Sequence, residues 1–232
     1  NPRASLGRGT CMSDVKKIWL TADELLGDSF RLARAVLESG FRPTHLVGIW
    51  RGGAPIGIAV QEFFDVHGVE CDHIAIRTAS YTGIDKQSKT VKVYALGYLI
   101  DTLNADDRLL VIDDVFDSGR SIEAVLTELR ARCRANMPAD IRIATVWYKP
   151  ARNQTELKPD YFIHESNEWL VFPHEIDGLT SAEIRAHKPA EDVILAPING
   201  LNKLPDLLRA RPVPPSSPAC RRPNCTCTLK AA

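Results

Sequence analysis

Neither sign of charge predominates in this chain: Lys and Arg together number 29, and so do Asp and Glu. That balance removes the basic face that nucleic-acid binding needs and the acidic excess of a solvating tail, which leaves a small molecule as the expected partner. Long apolar runs are missing too. None approaches the roughly 20 residues of a membrane-spanning helix, and the N-terminus lacks the charged-then-apolar order of a secretory signal. No membrane contact is expected, and the cytoplasm is the expected compartment. The six cysteines form no disulfide framework: Cys11, Cys71 and Cys133 are scattered, while Cys220, Cys225 and Cys227 sit in a Pro/Ser-rich tail with no histidine near. Internal repeats are absent. A length of 232 residues suits one domain with appendages.

What the chain does have is organised around Val111–Ser121. An apolar run, Leu109 to Ile112, has the length and branching of a buried strand. It ends in Asp113-Asp114 and turns, through Asp117-Ser118-Gly119-Arg120-Ser121, into a segment whose Ile122, Val125, Leu126 and Leu129 recur at helical spacing. A strand's carboxyl end thus meets a helix's amino end, where free N–H groups and the helix dipole favour an anion. Gly119 lets the backbone curl, and Ser118 and Ser121 add hydroxyl donors, a set that suits a phosphate monoester. Asp113 and Asp114 lie one step back, where vicinal sugar hydroxyls could donate to them and one carboxylate could help hold a hard cation. An Asp-rich helix start after a core strand is the plainer reading of the same residues.

The rest of the chain alternates strand and helix. Residues 1–13 lack periodicity, and Met12-Ser13-Asp14 reads as a natural start, so that stretch is set aside as a disordered or non-native extension. Thr21-Ala22-Asp23-Glu24 is a capping box that opens a helix ending at Gly40. His45–Trp50 reads as a strand, Arg51-Gly52-Gly53-Ala54-Pro55 as a second anion-ready turn, and Ile58 to Phe64 as part of a helix. Cys71–Arg77 is a strand. Residues 78–92 show no apolar pattern and read as a mobile loop. Ile141–Tyr148 is a further strand, closed by Lys149-Pro150. This alternation predicts an α/β fold with a mostly parallel twisted sheet flanked by helices and ligands beyond the strands' carboxyl ends. Residues 181–188 and 199–210 read as weak helices, and 211–232 as a disordered tail.

Residues 111–121 resemble the phosphoribosyl pyrophosphate (PRPP) signature of type I phosphoribosyltransferases, with Ser118 and Ser121 where threonine is commoner. Arg51-Gly52-Gly53 resembles the family's pyrophosphate loop in its xanthine/guanine branch, and Ser80-Tyr81 its flexible catalytic loop. Lys149 resembles the lysine of 6-oxopurine enzymes that binds the exocyclic oxygen; a donor-only ammonium disfavours adenine. Trp169-Leu170 resembles the hood segment that stacks on the base. The resemblance implies a phosphoribosyltransferase domain over residues 14–180 with a small hood near 160–178. It implies transfer of the 5-phosphoribosyl group of PRPP to hypoxanthine, xanthine or guanine with release of pyrophosphate, for purine salvage. Asp117 would be the general base and residues 117–121, Arg120 included, the 5′-phosphate loop. Asp113 and Asp114 would hold the ribose, with Mg2+ reaching Asp114 through PRPP, and Arg51, Gly52 and Gly53 the pyrophosphate. A homodimer or homotetramer is implied as well. Among the loop lysines Lys86, Lys89 and Lys92 no single pyrophosphate contact stands out. Other answers are a PRPP-sensing regulator with the same fold, or an enzyme for adenine, uracil or orotate.

Overall fold

The computed structural model describes residues 16–82 and 89–196. Two units divide the chain, Asn1–Pro173 and His174–Ala232. The first is built on a sheet of six strands in the order β4-β3-β2-β5-β6-β7, formed by β2 (His45–Trp50), β3 (Asp72–Thr82), β4 (Lys89–Tyr94), β5 (Arg108–Phe116), β6 (Asp140–Tyr148) and β7 (Tyr161–Glu165). All neighbours pair parallel except β3 and β4. A second, two-stranded parallel sheet joins β1 (Lys17–Trp19) to β8 (Trp169–Val171), with Trp19 opposite Val171.

Strand β5 shows why the sequence folds this way. Its side chains alternate between faces, and both faces are covered. Leu110 and Ile112 enter the cluster beneath helices α1 (Ala22–Glu38) and α2 (Gly53–Val66), with Leu32, Val36, Ile56 and Phe64. Leu109 and Val111 enter the opposite cluster beneath α3 (Gly97–Thr102) and α4 (Arg120–Cys133), with Leu99, Ile122, Leu126 and Leu129. Four consecutive apolar residues are therefore all inaccessible to solvent. Helix α1 starts at the expected capping box: Glu24 N–H donates to Thr21 Oγ1 at 3.2 Å, and Thr21 N–H to Glu24 Oε2 at 2.9 Å.

The mobile loop expected over residues 78–92 is corrected by the structure at residues 78–82 and 89–92. Strand β3 runs on to Thr82 and pairs antiparallel with β4, from Arg77 opposite Tyr94 to Thr82 opposite Lys89. A sheet-edge hairpin is held by main-chain hydrogen bonds and β-branched residues, here Thr78, Val91 and Val93, and it needs no apolar stripe. Residues 83–88, with Lys86, lie outside the described residues, as do residues 1–15 and 197–232 with Cys220, Cys225 and Cys227. Strand β1 and helix α3 also went unforeseen, being too short to show a period. Tyr161–Glu165 joins the main sheet as its edge strand, and the small sheet begins only at Trp169.

The second unit contains α5 (Ser181–His187), which repeats the capping-box device at Thr180 and Glu183, and α6 (Glu191–Leu195). Among the described residues no helix is long and apolar enough to cross a membrane. Leu32→Ala, which empties a site with no solvent exposure, is expected to cost about 2–5 kcal/mol of unfolding free energy. Ile58→Ala on the exposed side of α2 should cost under about 0.5 kcal/mol; paired urea titrations check both.

Candidate active site

Parallel sheets offer a ligand site where the crossovers diverge, outside the strands' carboxyl ends. Here β2 leads outward to β3 on one side and β5 leads to β6 on the other, so the divergence falls between β2 and β5. Two loops leave the sheet at that point, residues 51–53 after β2 and 117–119 after β5.

The first loop is pressed against the acidic end of β5. A Cβ on Gly52 would overlap the Asp114 carboxylate, and one on Gly53 would overlap the Ile112 carbonyl. The Gly53 N–H acts to lower the Asp113 pKa, and the Trp50–Arg51 peptide is cis. Asp113 keeps a partial window to solvent, yet protein surrounds it. That burial, and then the neighbouring Asp114 charge, push its pKa well above the ordinary carboxylate value, against the smaller opposing effect of backbone N–H donors. The pair is also tied locally: Asp114 N–H donates to Asp113 Oδ1 at 3.0 Å and Val115 N–H to Asp114 Oδ1 at 2.8 Å.

The second loop opens α4. Gly119 caps the helix at φ +75°, a left-handed conformation that side chains resist, and a Cβ there would lie 2.5 Å from Thr155 Oγ1 and 2.8 Å from Phe116 Cζ. Beside it is a small cavity of about 70 Å³ bounded by Asp113, Asp117, Ser118, Gly119 and Ser121. The side chains of Ser118 and Ser121 are half-buried, whereas Arg120 is exposed.

A third segment closes over this loop. Lys149 N–H donates to the Phe116 carbonyl at 2.9 Å and Gln154 N–H to the Ser118 carbonyl at 3.0 Å. The Lys149 side chain is buried, and its Nζ lies 3.9 Å from Asp117 Oδ2. Arg152 Nε lies 2.7 Å from Asp117 Oδ1, but its N–H is not aligned for a hydrogen bond to that buried oxygen, so the contact is an ion pair. Ala151 N–H donates to Asn167 Oδ1 at 3.1 Å and so ties this segment to the turn before β8.

The structure thus joins Gly52, Gly53, Asp113 and Asp114 in one contact and Asp117 with Lys149 in another. Arg51 is exposed beside the first. Trp169 is 53% exposed, whereas the neighbouring Leu170 side chain is buried in the core beneath α1, which leaves only its backbone for a ligand. Ser80 and Tyr81 lie on the β3 arm of the hairpin, and their side chains lie outside the described residues. Lys92 lies on β4 and is already engaged. Arg152 and Thr155 were not legible in the sequence, because a short 3-10 turn leaves no periodic signal.

This geometry defines an α/β protein in which a helix terminus, serine hydroxyls, a buried lysine and a set of carboxylates meet around one small cavity. The phosphoribosyl transferase domain family matches residues 21–178, more than half of the chain, and the chain belongs to that family. It is 28% identical over 149 residues to a hypoxanthine-guanine phosphoribosyltransferase of Lactococcus lactis, covering 63% of this chain and 75% of that one. It is 27% identical over 163 residues to a bifunctional protein PyrR of Corynebacterium diphtheriae, covering 65% and 83%. Among solved structures, a purine phosphoribosyltransferase from Pyrococcus horikoshii aligns with a TM-score of 0.56 at 24% identity, over 70% of this chain and 96% of that one.

The raised pKa of Asp113 has a consequence for stability. A carboxyl whose folded pKa exceeds its unfolded value of about 3.9 binds protons more readily when folded, so its contribution is fully present below that value and is lost as pH rises through the folded pKa. Asp113→Asn is therefore expected to be more stable than the native protein at pH 7, with the gap closing toward pH 4. Urea unfolding across that range checks the sign.

Proposed function

We propose that the chain is a purine phosphoribosyltransferase that transfers the 5-phosphoribosyl group of PRPP to a 6-oxopurine, hypoxanthine, xanthine or guanine, and releases pyrophosphate. The observation that carries this reading is the buried Lys149 ammonium 3.9 Å from the Asp117 carboxylate. A 6-oxopurine presents its O6 and N7 on one edge. A donor-only ammonium matches O6, and a carboxylate matches a proton on N7. Adenine's amino group would meet the same ammonium as donor against donor. The likeness to the Lactococcus hypoxanthine-guanine enzyme supports the same substrate class.

In this mechanism Asp117 accepts the imidazole proton as the purine nitrogen attacks C1′, and its ion pair with Arg152 holds the carboxylate in place. The backbone of residues 117–121, with the Ser118 and Ser121 hydroxyls, holds the 5′-phosphate at the start of α4, and Arg120 flanks it. Asp113 and Asp114 accept from the ribose hydroxyls. Arg51 and the Gly52–Gly53 backbone face the pyrophosphate. Trp169 covers the base, with the Leu170 backbone beside it, and Ser80 and Tyr81 belong to the arm that excludes water from C1′.

The acidic pair also fits a magnesium ion. Among the described residues no three His, Cys, Asp or Glu side chains cluster for a metal. A cation at Asp114 would therefore take most of its oxygen ligands from PRPP and water, as Mg2+ commonly does, and would relieve the repulsion that raises the Asp113 pKa. Its chemistry there is to offset charge on the departing pyrophosphate.

We extend the proposal to the cytoplasm and to a homodimer or homotetramer. Support for self-association comes from the exposed Trp50 and Ile58, which edge an apolar recess of about 180 Å³ between α2 and β3.

Incubation with PRPP, Mg2+ and each of hypoxanthine, guanine, xanthine, adenine and uracil tests the reading. A nucleotide is expected from a 6-oxopurine, with kcat falling roughly 10²–10⁴-fold in Asp117→Asn. Lys149→Gln is expected to lose about tenfold or more in kcat/KM for that base, because a charged hydrogen bond to O6 is removed. Nucleotide from adenine or uracil alone, or PRPP binding with no product from any base, contradicts it.

A further inference from the structure

A larger cavity, about 640 Å³, lies at the opposite end of the sheet, where β5 and β6 begin. Strand β5 starts there at Arg108 and reaches the catalytic end at Phe116; at a rise of about 3.3 Å per residue the two ends are roughly 25 Å apart. One small ligand cannot span both.

Three guanidinium groups, Arg42, Arg108 and Arg142, line this cavity against a single carboxylate, Asp140. Their partners divide them. Arg142 is neutralised by Asp140 at 2.9 Å and Asp160 at 3.3 Å, and its guanidinium lies 5.9 Å from the centre of the Phe41 ring. Those two carboxylates raise its pKa further, so it is a fixed, permanently charged wall. Among the described residues no carboxylate pairs with Arg42 or Arg108 in this way. Arg42 donates to the carbonyls of Leu37 at 2.7 Å and Phe41 at 3.0 Å, and Arg108 Nε donates to the carbonyl of Arg42. Both are held in place by main-chain oxygens, with guanidinium N–H groups to spare. The Ser39 and Tyr161 hydroxyls, 2.8 Å apart and hydrogen-bonded to each other, complete the wall, with Ser39 Oγ–H donating to the Val36 carbonyl at 2.7 Å.

Cations held in position but matched to no carboxylate create a site for an anion, since a guanidinium fork suits phosphate oxygens. The volume lies within the range of sites that take nucleotide-sized molecules. We propose that this cavity is a second binding site, specific for a small phosphorylated molecule, with Arg42 and Arg108 on the phosphates and Tyr161 and Arg142 beside the remainder. The phosphate chain is the shared chemistry of two sources, a nucleotide and an inorganic polyphosphate.

Equilibrium dialysis of the full chain against a purine nucleoside triphosphate and, separately, inorganic pyrophosphate tests the site, with Arg42→Gln and Arg108→Gln as single variants. The equivalent counted is the one these variants remove, so the result does not depend on what the catalytic end binds. Each variant is expected to weaken that equivalent by roughly tenfold or more while leaving the rate with PRPP and purine unchanged. Removal of an equivalent seen with both probes assigns the phosphate chain; removal of one seen only with the triphosphate assigns a nucleotide. Arg42 is exposed on the surface, so its variant remains informative if Arg108→Gln fails to fold. Binding of both probes that is unaltered in Arg42→Gln, so that the native protein holds no equivalent beyond those the variant retains, overturns the proposal.

Discussion

The site depends on one close approach: the Gly52–Gly53 backbone lies against the Asp113–Asp114 end of β5, nearer than any Cβ would allow. Two loops that leave neighbouring parallel strands are thereby fixed relative to each other, one by glycine contact and the other by continuity with β5. Everything chemical in the first unit is placed from that junction. Asp113 lies against Gly53, Asp117 follows three residues after the acidic pair, and the segment carrying Lys149 is hydrogen-bonded onto the loop that carries Asp117.

The contact has an electrostatic cost as well as a geometric role. Enclosing two adjacent carboxylates raises the pKa of Asp113 and opposes folding at neutral pH. A PRPP-bound cation and ribose hydroxyls would offset that cost on binding, which is how strain held in a free site becomes affinity in an occupied one. The buried Lys149 and the exposed Arg152 balance Asp117 more directly. An ammonium 6% exposed is the stronger constraint of the two, because solvent screens the guanidinium, which is 51% exposed.

Much of this was legible in the sequence because it rests on local signals. Four apolar residues before two aspartates mark a buried strand, Gly119 marks a curled backbone at the start of a helix, and Thr21 with Glu24 marks a helix start. The glycine-bearing junctions after β2 and β5 stand in the chain as short motifs. What could not be read is what depends on distance in space. The approach of Gly52 to Asp114 joins residues more than sixty positions apart, and Arg152 reaches Asp117 through a single 3-10 turn. The β3–β4 hairpin is held by backbone pairing at a solvated edge, where side chains carry little pattern. The burial of Leu170 and Val171 beside the exposed Trp169 falls in a strand three residues long, too short to announce itself.

The most direct test of the central contact is calorimetric titration of Mg2+–PRPP into the native protein and Gly52→Ala, with circular dichroism to establish that both are folded. The added methyl group must displace the Asp114 carboxylate, so affinity is predicted to fall by about tenfold or more, some 1.4 kcal/mol, in a protein that keeps its secondary structure. Equal affinity in the two proteins would contradict the account, since Asp114 could then move aside without consequence for the ligand it is said to hold.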